Sequence, residues 1–251
     1  MAALASVVLA AGAGTRLRPL TWLRPKALCP VDNVPLVDLA VDRMRRVAGA
    51  EAVAVNVHHD REAMEAHLAG RVHLSVEERE ALGTAGALGN LRGWIDGRPT
   101  VVVNVDAWSE ADVAELVAGW DGERVRLLIA GDDFGPQARV VGCLMPWTDV
   151  ATLEPRPSGL YEECWRPAWE AGRLDVVRYA GPFVDCGTPA GYLAANLAAS
   201  GGVSVVGAGA EVEGVLEGSV VWPGVRVHRH EVLRDAVRAA EHVTVLVRGR
   251  R

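Results

Sequence analysis

The residues best suited to chemistry in this chain crowd its start. Residues 1–31 hold Arg16, Arg18, Arg24 and Lys26 and no acid, in a protein whose formal net charge is −6. A glycine-rich turn, Gly12-Ala13-Gly14, comes just before these cations. Absent side chains let backbone approach a phosphate and take up tight-turn dihedrals, and N–H groups with nearby cations suit a polyanion. Lys26 is the only lysine among the 26 Lys and Arg residues. A chain that uses arginine almost everywhere else keeps lysine where a compact, rotatable ammonium is wanted and a planar guanidinium will not fit. The segment Leu9 to Lys26 therefore reads as a phosphate-binding loop. It is neither a dinucleotide fingerprint nor a Walker loop: GAGTRL lacks the third glycine of GxGxxG, no acid closes the second strand, and GxxxxGK[ST] is absent.

Such a loop needs a scaffold, and the alternation of patterns supplies one. Apolar runs at 5–10, 52–57, 71–76, 100–105 and 125–130 read as strands, with further strands at 138–144 and 174–179. Helical patterns fall at 35–48, 61–69, 84–93, 110–119, 160–171 and 189–199. This β-α-β alternation predicts an α/β fold with a doubly wound, mostly parallel sheet, whose ligands sit beyond the carboxyl ends of the strands. The residues to inspect are then AGAGTR after the first strand and Asp106 after the fourth. From residue 201 the texture changes to valines and glycines spaced about six apart, as in hexapeptide β-helix repeats. Two or three such coils cannot bury a core alone, so the expected division is a main domain over 1–200 and a short β-helix-like segment over 201–251. Homo-oligomer contacts through that segment are an open option.

Bulk properties narrow the partners. Half of the 251 residues are hydrophobic and 23% are charged, which describes a globular protein and not a disordered one. The acidic balance argues against nucleic acid, whose binding rests on a basic face. The apolar opening has no positive n-region and is too short to span a bilayer, so it reads as a buried strand in a cytoplasmic protein without membrane partners. Cys29, Cys143, Cys164 and Cys186 form no CxxC pair and read as buried free thiols. His58 and His59, as neighbours on a strand, would face opposite ways and so make a poor metal pair. Trp94, Trp120, Trp165 and Trp169 read as packing.

AGAGTRLRPLTWLRPK resembles the GxGTRLxPxTxxxPK signature of the sugar-phosphate nucleotidyltransferases, the nucleotide-sugar pyrophosphorylases. LGTAGAL (82–88), NVDAW (104–108) and FVDCGTPAGYLAAN (183–196) are similar to further family segments in the same order, so the resemblance covers nearly all of 1–200. It implies a Rossmann-like nucleotidyltransferase fold with a left-handed β-helix-like appendage. It also implies transfer of NMP from an NTP to a sugar 1-phosphate, with release of pyrophosphate. By the same resemblance Leu9, Ala10, Ala11, Gly12, Gly14 and Thr15 hold the nucleotide, with Glu80, Gly83, Thr84, Ala85 and Gly86 on its base side. Arg16 and Lys26 act on the phosphates, and Asp106 and Asp185 hold Mg²⁺. The chemistry of the ion agrees, since Mg²⁺ is commonly held by one or two carboxylates plus substrate phosphates.

The family pattern also fails in places. The Glu-Lys-Pro segment that contacts the sugar phosphate is missing from 130–147, and the usual NGD is Asn104-Val105-Asp106, with a β-branched residue in place of glycine. LGTAGAL preceded by Glu80 is similar to the version in mannose-1-phosphate guanylyltransferases, and a carboxylate there can accept from guanine N1–H and N2–H₂. The NVHH stretch is shared with uridylyltransferases of amino-sugar phosphates. A regulatory paralogue that binds nucleotide without turnover is the remaining alternative.

Overall fold

The computed structural model describes residues 3–131 and 134–247, which form two compact units. The first runs up to Gly12 and includes Val37–Val105 and Ser109–Phe183; the second comprises Ala13–Leu36, Asp106–Trp108 and the chain from Val184 onward. The outermost residues of the expected domains, 1–2 and 248–251, and residues 132–133 of the 130–147 stretch, lie outside the described residues.

In the first unit, β1 (Ala5–Leu9), β2 (Val53–Val57), β3 (His73–Val76), β4 (Thr100–Asn104), β5 (Val125–Ala130), β6 (Val140–Met145) and β7 (Leu174–Tyr179) form a seven-stranded sheet in the order β7-β5-β6-β4-β1-β2-β3. Strands β1, β2, β3 and β4 pair in parallel, as do β5 and β7, while β6 runs antiparallel to β4 and β5. Both β1 and β2 are buried at every position, which is why each reads as an unbroken apolar run. Helices α1 (Leu36–Ala48), α2 (Arg61–Leu68) and α3 (Gly83–Ile95) connect them. The register places Leu9 opposite Asn56 on one side and Asn104 on the other, so β1, β2 and β4 end level at one edge.

The glycines of α3 have a packing reason. A Cβ on Gly86 would lie 2.1 Å from the carbonyl oxygen of Arg156, and one on Gly89 would lie 2.4 Å from the Glu154 carbonyl carbon. Backbone blocks both positions and cannot swing aside as a flexible side chain can. Gly86→Ala is expected to cost about 3 kcal/mol, read as a lowered urea midpoint at unchanged m. Gly93, on the same helix, has nothing within 4 Å of its would-be Cβ. Gly93→Ala should stabilise the fold by about 0.5–1 kcal/mol, read as a raised urea midpoint.

Three expectations change. The helix over 110–119 is only a 3₁₀ turn, Val113–Leu116, opened by Asp112 accepting from the Ala114 N–H at 3.0 Å and followed by Gly119 at φ 61°. Between 160 and 171 a π-helical turn, Tyr161–Trp165, precedes the short α-helix Arg166–Glu170. Pro167 has no N–H for the Glu163 carbonyl, and a locally wider turn is the usual accommodation. Trp169 is 53% exposed, lying against Phe134 at 5.2 Å, so it is not core packing.

The second unit contains helix α4 (Pro189–Ala199) and a succession of very short strands. Val205–Val206 pairs in parallel with Val220–Val221, and Val220–Val221 with Val237–Arg238. Glu211–Val212 pairs with Arg226–Val227, and Val215–Glu217 with Val232–Arg234. Equivalent positions recur after 15 or 17 residues, giving a β-helix-like coil with three narrow faces. An antiparallel return, Val243–Leu246 on Ala236–Ala240, ends it.

Candidate active site

The signature segment folds as three 3₁₀ turns, Thr15–Leu17, Leu20–Trp22 and Lys26–Leu28. Gly14 enters the first of them in the left-handed region, at φ 61°, and its carbonyl accepts from the Thr21 hydroxyl at 3.0 Å. A Cβ there would lie 2.9 Å from both Lys26 Cβ and Thr21 Cγ2, so glycine is required twice over. Gly12 differs: nothing lies within 4 Å of its would-be Cβ, so no neighbouring residue requires glycine there. Thr15 and Arg16 are exposed.

Lys26 is buried at 9% exposure, and its Nζ lies 3.0 Å from Asp106 Oδ2. Arg16 Nη2 lies 3.7 Å from Asp185 Oδ2, with both side chains more than half exposed. The two aspartates are held side by side by the backbone, because the Cys186 N–H donates to the Asp106 carbonyl at 2.8 Å. The motif after Asp185 does the rest. The Gly187 N–H donates to Asp185 Oδ1 at 2.6 Å, Thr188 caps α4 by accepting from the Gly191 N–H at 3.1 Å, and Pro189 opens the helix. A Cβ on Gly191 would meet the Asp185 carbonyl oxygen at 1.9 Å. Within this unit, then, the fold brings Arg16, Lys26, Asp106 and Asp185 together as two cation–carboxylate pairs.

The Cys186 thiol sits among Lys26, Asp106 and Asp185, yet burial pushes it up to about 12. Burial likewise pushes Cys29 and Cys164 up to about 12 and raises Cys143, so no nucleophilic thiolate is on offer near neutrality. Two outcomes follow. A thiol reagent at pH 8 should label none of the four cysteines in the folded protein, and all four in urea. Unfolded thiols ionise near 9.0 while folded ones keep their protons, so the stability these groups contribute below pH 9.0 drains away between 9.0 and about 12. The urea midpoint should fall over that interval.

In the first unit the positions picked from sequence behave differently from one another. Leu9, Ala10 and Ala11 are buried at 8% exposure each, and the Ala10 N–H donates to Asn56 Oδ1 at 2.7 Å. Gly83, at φ 70°, faces the Ser158 carbonyl; Thr84 Oγ1 accepts from the Leu160 N–H at 2.8 Å; Ala85 and Gly86 are buried. Glu80 is exposed beside a cavity of about 360 Å³ that Glu77, Arg79, Leu82 and Asn90 also line. The buried carboxylate of this stretch is Glu77, at 3% exposure. Its Oε1 accepts from Asn56 Nδ2 at 2.7 Å and its Oε2 from the Leu82 N–H at 2.8 Å, tying the end of β1 to the entry of α3. Sequence reasoning missed both residues, although an asparagine inside the apolar AVAVNV was a signal, since a buried amide must find partners. Val105, the β-branched replacement, is 6% exposed and continues the sheet by donating to the Leu9 carbonyl at 3.0 Å. His58 and His59 lie just past β2 and not within it. The rings meet edge to face at 4.6 Å, and His58 Nδ1 is 2.6 Å from the Glu77 carbonyl oxygen. Among the described residues no three His, Cys, Asp or Glu side chains gather into a metal cluster, and no helix is long and apolar enough to cross a membrane.

The nucleotidyl transferase family profile matches residues 5–129, a span that includes the signature and Asp106. This chain belongs to the sugar-phosphate nucleotidyltransferase family. It is 40% identical over 132 residues to an N-acetylmuramate alpha-1-phosphate uridylyltransferase of Caulobacter vibrioides, across 48% of this chain and 54% of that one. Over 117 residues it is 33% identical to a mannose-1-phosphate guanylyltransferase of Mycobacterium tuberculosis, across 45% of this chain and 32% of the other. The chain thus matches about half or less of the length of these relatives. A solved structure from Thermus thermophilus, described as a mannose-1-phosphate geranyltransferase, superposes with a TM-score of 0.70 at 18% identity, covering 98% of this chain and 95% of that one. The likeness extends the family fold through the β-helix-like tail. Asp185 lies outside the residues that the family profile matches.

Proposed function

We propose that this protein transfers a nucleotidyl group from an NTP to a sugar 1-phosphate. A phosphate oxygen of the sugar 1-phosphate forms a bond to the α-phosphorus as the bond from that phosphorus to the bridging oxygen breaks, and pyrophosphate leaves with the electron pair. The nucleophile is already anionic near neutral pH, so no general base is needed; alignment and charge neutralisation are. The observation that carries this reading is the pairing of Lys26 with Asp106 and of Arg16 with Asp185 in one compact unit. Two cations suited to phosphate oxygens stand with two carboxylates suited to a hard divalent ion. That oxygen donor set fits Mg²⁺, which takes one or two carboxylates and fills its remaining positions with phosphate oxygens and water. Asp106 and Asp185 would hold it, and when bound it neutralises charge on the phosphates. Arg16, exposed, serves the triphosphate; Lys26, buried and fixed, serves the reacting phosphate. Leu9 to Gly12, Gly14 and Thr15 lie along the nucleotide, with Glu80, Gly83, Thr84, Ala85 and Gly86 on its base side. In this proposal the nucleotidyltransferase module is 1–200, with 201–251 as its β-helix-like appendage.

Guanylyl transfer to mannose 1-phosphate and uridylyl transfer to an amino-sugar 1-phosphate each have a relative of that description. An exposed Glu80 favours guanine, which offers its carboxylate two donors where uracil offers one. Pyrophosphate release, followed across GTP, UTP, dTTP, CTP and ATP with a panel of sugar 1-phosphates, tests the proposal. Turnover with one pair is the expected result. Silence across the panel with nucleotide binding intact would leave a binding protein instead.

A further inference from the structure

The signature loop is gripped from the C-terminal coil. Arg24 lies with its guanidinium carbon 4.2 Å from the centre of the Trp222 ring, and Trp222 is 1% exposed at the start of a coil turn. Trp222 Nε1–H donates to the Tyr192 hydroxyl at 2.9 Å, and that hydroxyl donates to the Pro30 carbonyl. Tyr192, on α4, is wholly buried. Asn196, one turn further along α4, accepts the Asp32 N–H at 3.0 Å through its side-chain oxygen, and its amide donates to the Tyr192 carbonyl at 2.9 Å. The coil adds a direct contact: Asn33 Nδ2 donates to the Val206 carbonyl at 3.1 Å. Lys26 sits between these anchors, with Arg24 held two residues before it and Pro30, Asp32 and Asn33 held after it.

We infer that the coil is a positioning element for Lys26, and that Trp222 is its key residue through the Arg24–Trp222–Tyr192–Pro30 chain of contacts. The physical grounds are burial and count. The cation–π contact seats half-buried Arg24 on a buried indole, and a buried hydroxyl that bridges an indole N–H and a backbone carbonyl leaves both unsatisfied when it is lost. The Lys26 ammonium pairs with Asp106, which lies outside the coil, so the coil bears on Lys26 through the chain on either side of it. The tail has a role here that folding of the coil for its own sake would not require. Tyr192 and Asn196 of the GYLAAN segment likewise have a role in this scheme, as links and not as ligands.

The inference rests on the nucleotidyltransferase reading for its kinetic consequence but not for its structural one, so two readouts on the full chain separate them. In Trp222→Leu, the amides of Leu28, Cys29 and Asp32 should exchange with solvent about tenfold faster while those of β2 keep their protection. In the pyrophosphate-release assay, kcat of the same variant should fall about tenfold with the nucleotide KM within about twofold of the parent. Trp222→Phe keeps a ring under Arg24 and loses only the N–H donor, and it should recover at least half of both losses. Unchanged exchange at Leu28, Cys29 and Asp32 in Trp222→Leu, or a phenylalanine variant as impaired as the leucine one, overturns the inference. Should the parent chain show no turnover at all, the proposed activity falls and the exchange data alone decide the positioning role. Should Trp222→Leu fail to fold, Arg24→Leu removes the same contact from the solvent side and is judged by the same two readouts.

Discussion

Lys26→Arg is expected to lower turnover by about two to three orders of magnitude, on the scale seen when one preorganised charge is removed from a reacting group. The substitution keeps the charge and changes only its shape. Lys26 Nζ reaches Asp106 Oδ2 at 3.0 Å from a side chain that is 9% exposed, and its Cβ lies under Gly14, where an added methyl would come within 2.9 Å. A guanidinium is wider, planar and fixed in its donor directions, so in this enclosed position it must displace Asp106 or lift the loop. An ammonium can rotate one N–H to Asp106 and another to a phosphate. Steady-state pyrophosphate release together with a melting curve checks the claim. Loss of kcat in a protein that still melts near the parent temperature is the expected pattern. Turnover within about threefold of the parent would mean that the lone lysine survives by chance.

Asp185→Asn should abolish Mg²⁺-dependent turnover to a similar extent, about two to three orders of magnitude, with almost no loss of stability. The contrast with Asp106 makes this the cleaner test. Removing the Asp106 carboxylate strands the buried Lys26 ammonium, and an unpaired buried charge is costly to the fold. The Arg16–Asp185 pair is 3.7 Å apart with side chains 65% and 54% exposed, so solvent screens it and its contribution to stability is small. The Gly187 N–H can still donate to the retained carbonyl oxygen of asparagine. Freed from its partner, Arg16 is available to triphosphate, so nucleotide KM should stay level or fall while kcat collapses. Titrating the rate against Mg²⁺ and measuring the urea midpoint in parallel would show it. An unchanged Mg²⁺ dependence removes Asp185 from the metal assignment.

Local features made the sheet legible. The strands announced at 5–10, 52–57, 100–105 and 125–130 appear within a residue or two because each is an almost fully buried apolar run, whose pattern needs no distant partner to be recognised. The expected helix at 110–119 failed for the opposite reason, since one apolar stripe does not outweigh an Asp112 side chain that turns the backbone and a Gly119 that ends it. The loop was legible too, through its glycines and the placement of its charges. Glu77 was not. In the run VEERE nothing distinguishes it from Glu80, and only the fold buries Glu77 between Asn56 and the Leu82 N–H while leaving Glu80 in solvent. The 2.1 Å approach of the Arg156 carbonyl to the Gly86 position was likewise illegible, because the partner lies some seventy residues away along the chain.

By itself, then, the sequence determined the α/β class and singled out the Gly12–Lys26 loop and its lone lysine as the candidate phosphate site, because turn chemistry, periodicity and charge act over a few neighbouring residues. Only the tertiary structure decided which carboxylates stand beside which cations, where the buried Glu77 lies, and that Trp222 supports Arg24. Those facts join residues 106 to 186, 56 to 77 and 24 to 222. Contacts between residues that far apart follow from how burial and backbone pairing are satisfied across a whole compact unit, and no short stretch of chain holds that information.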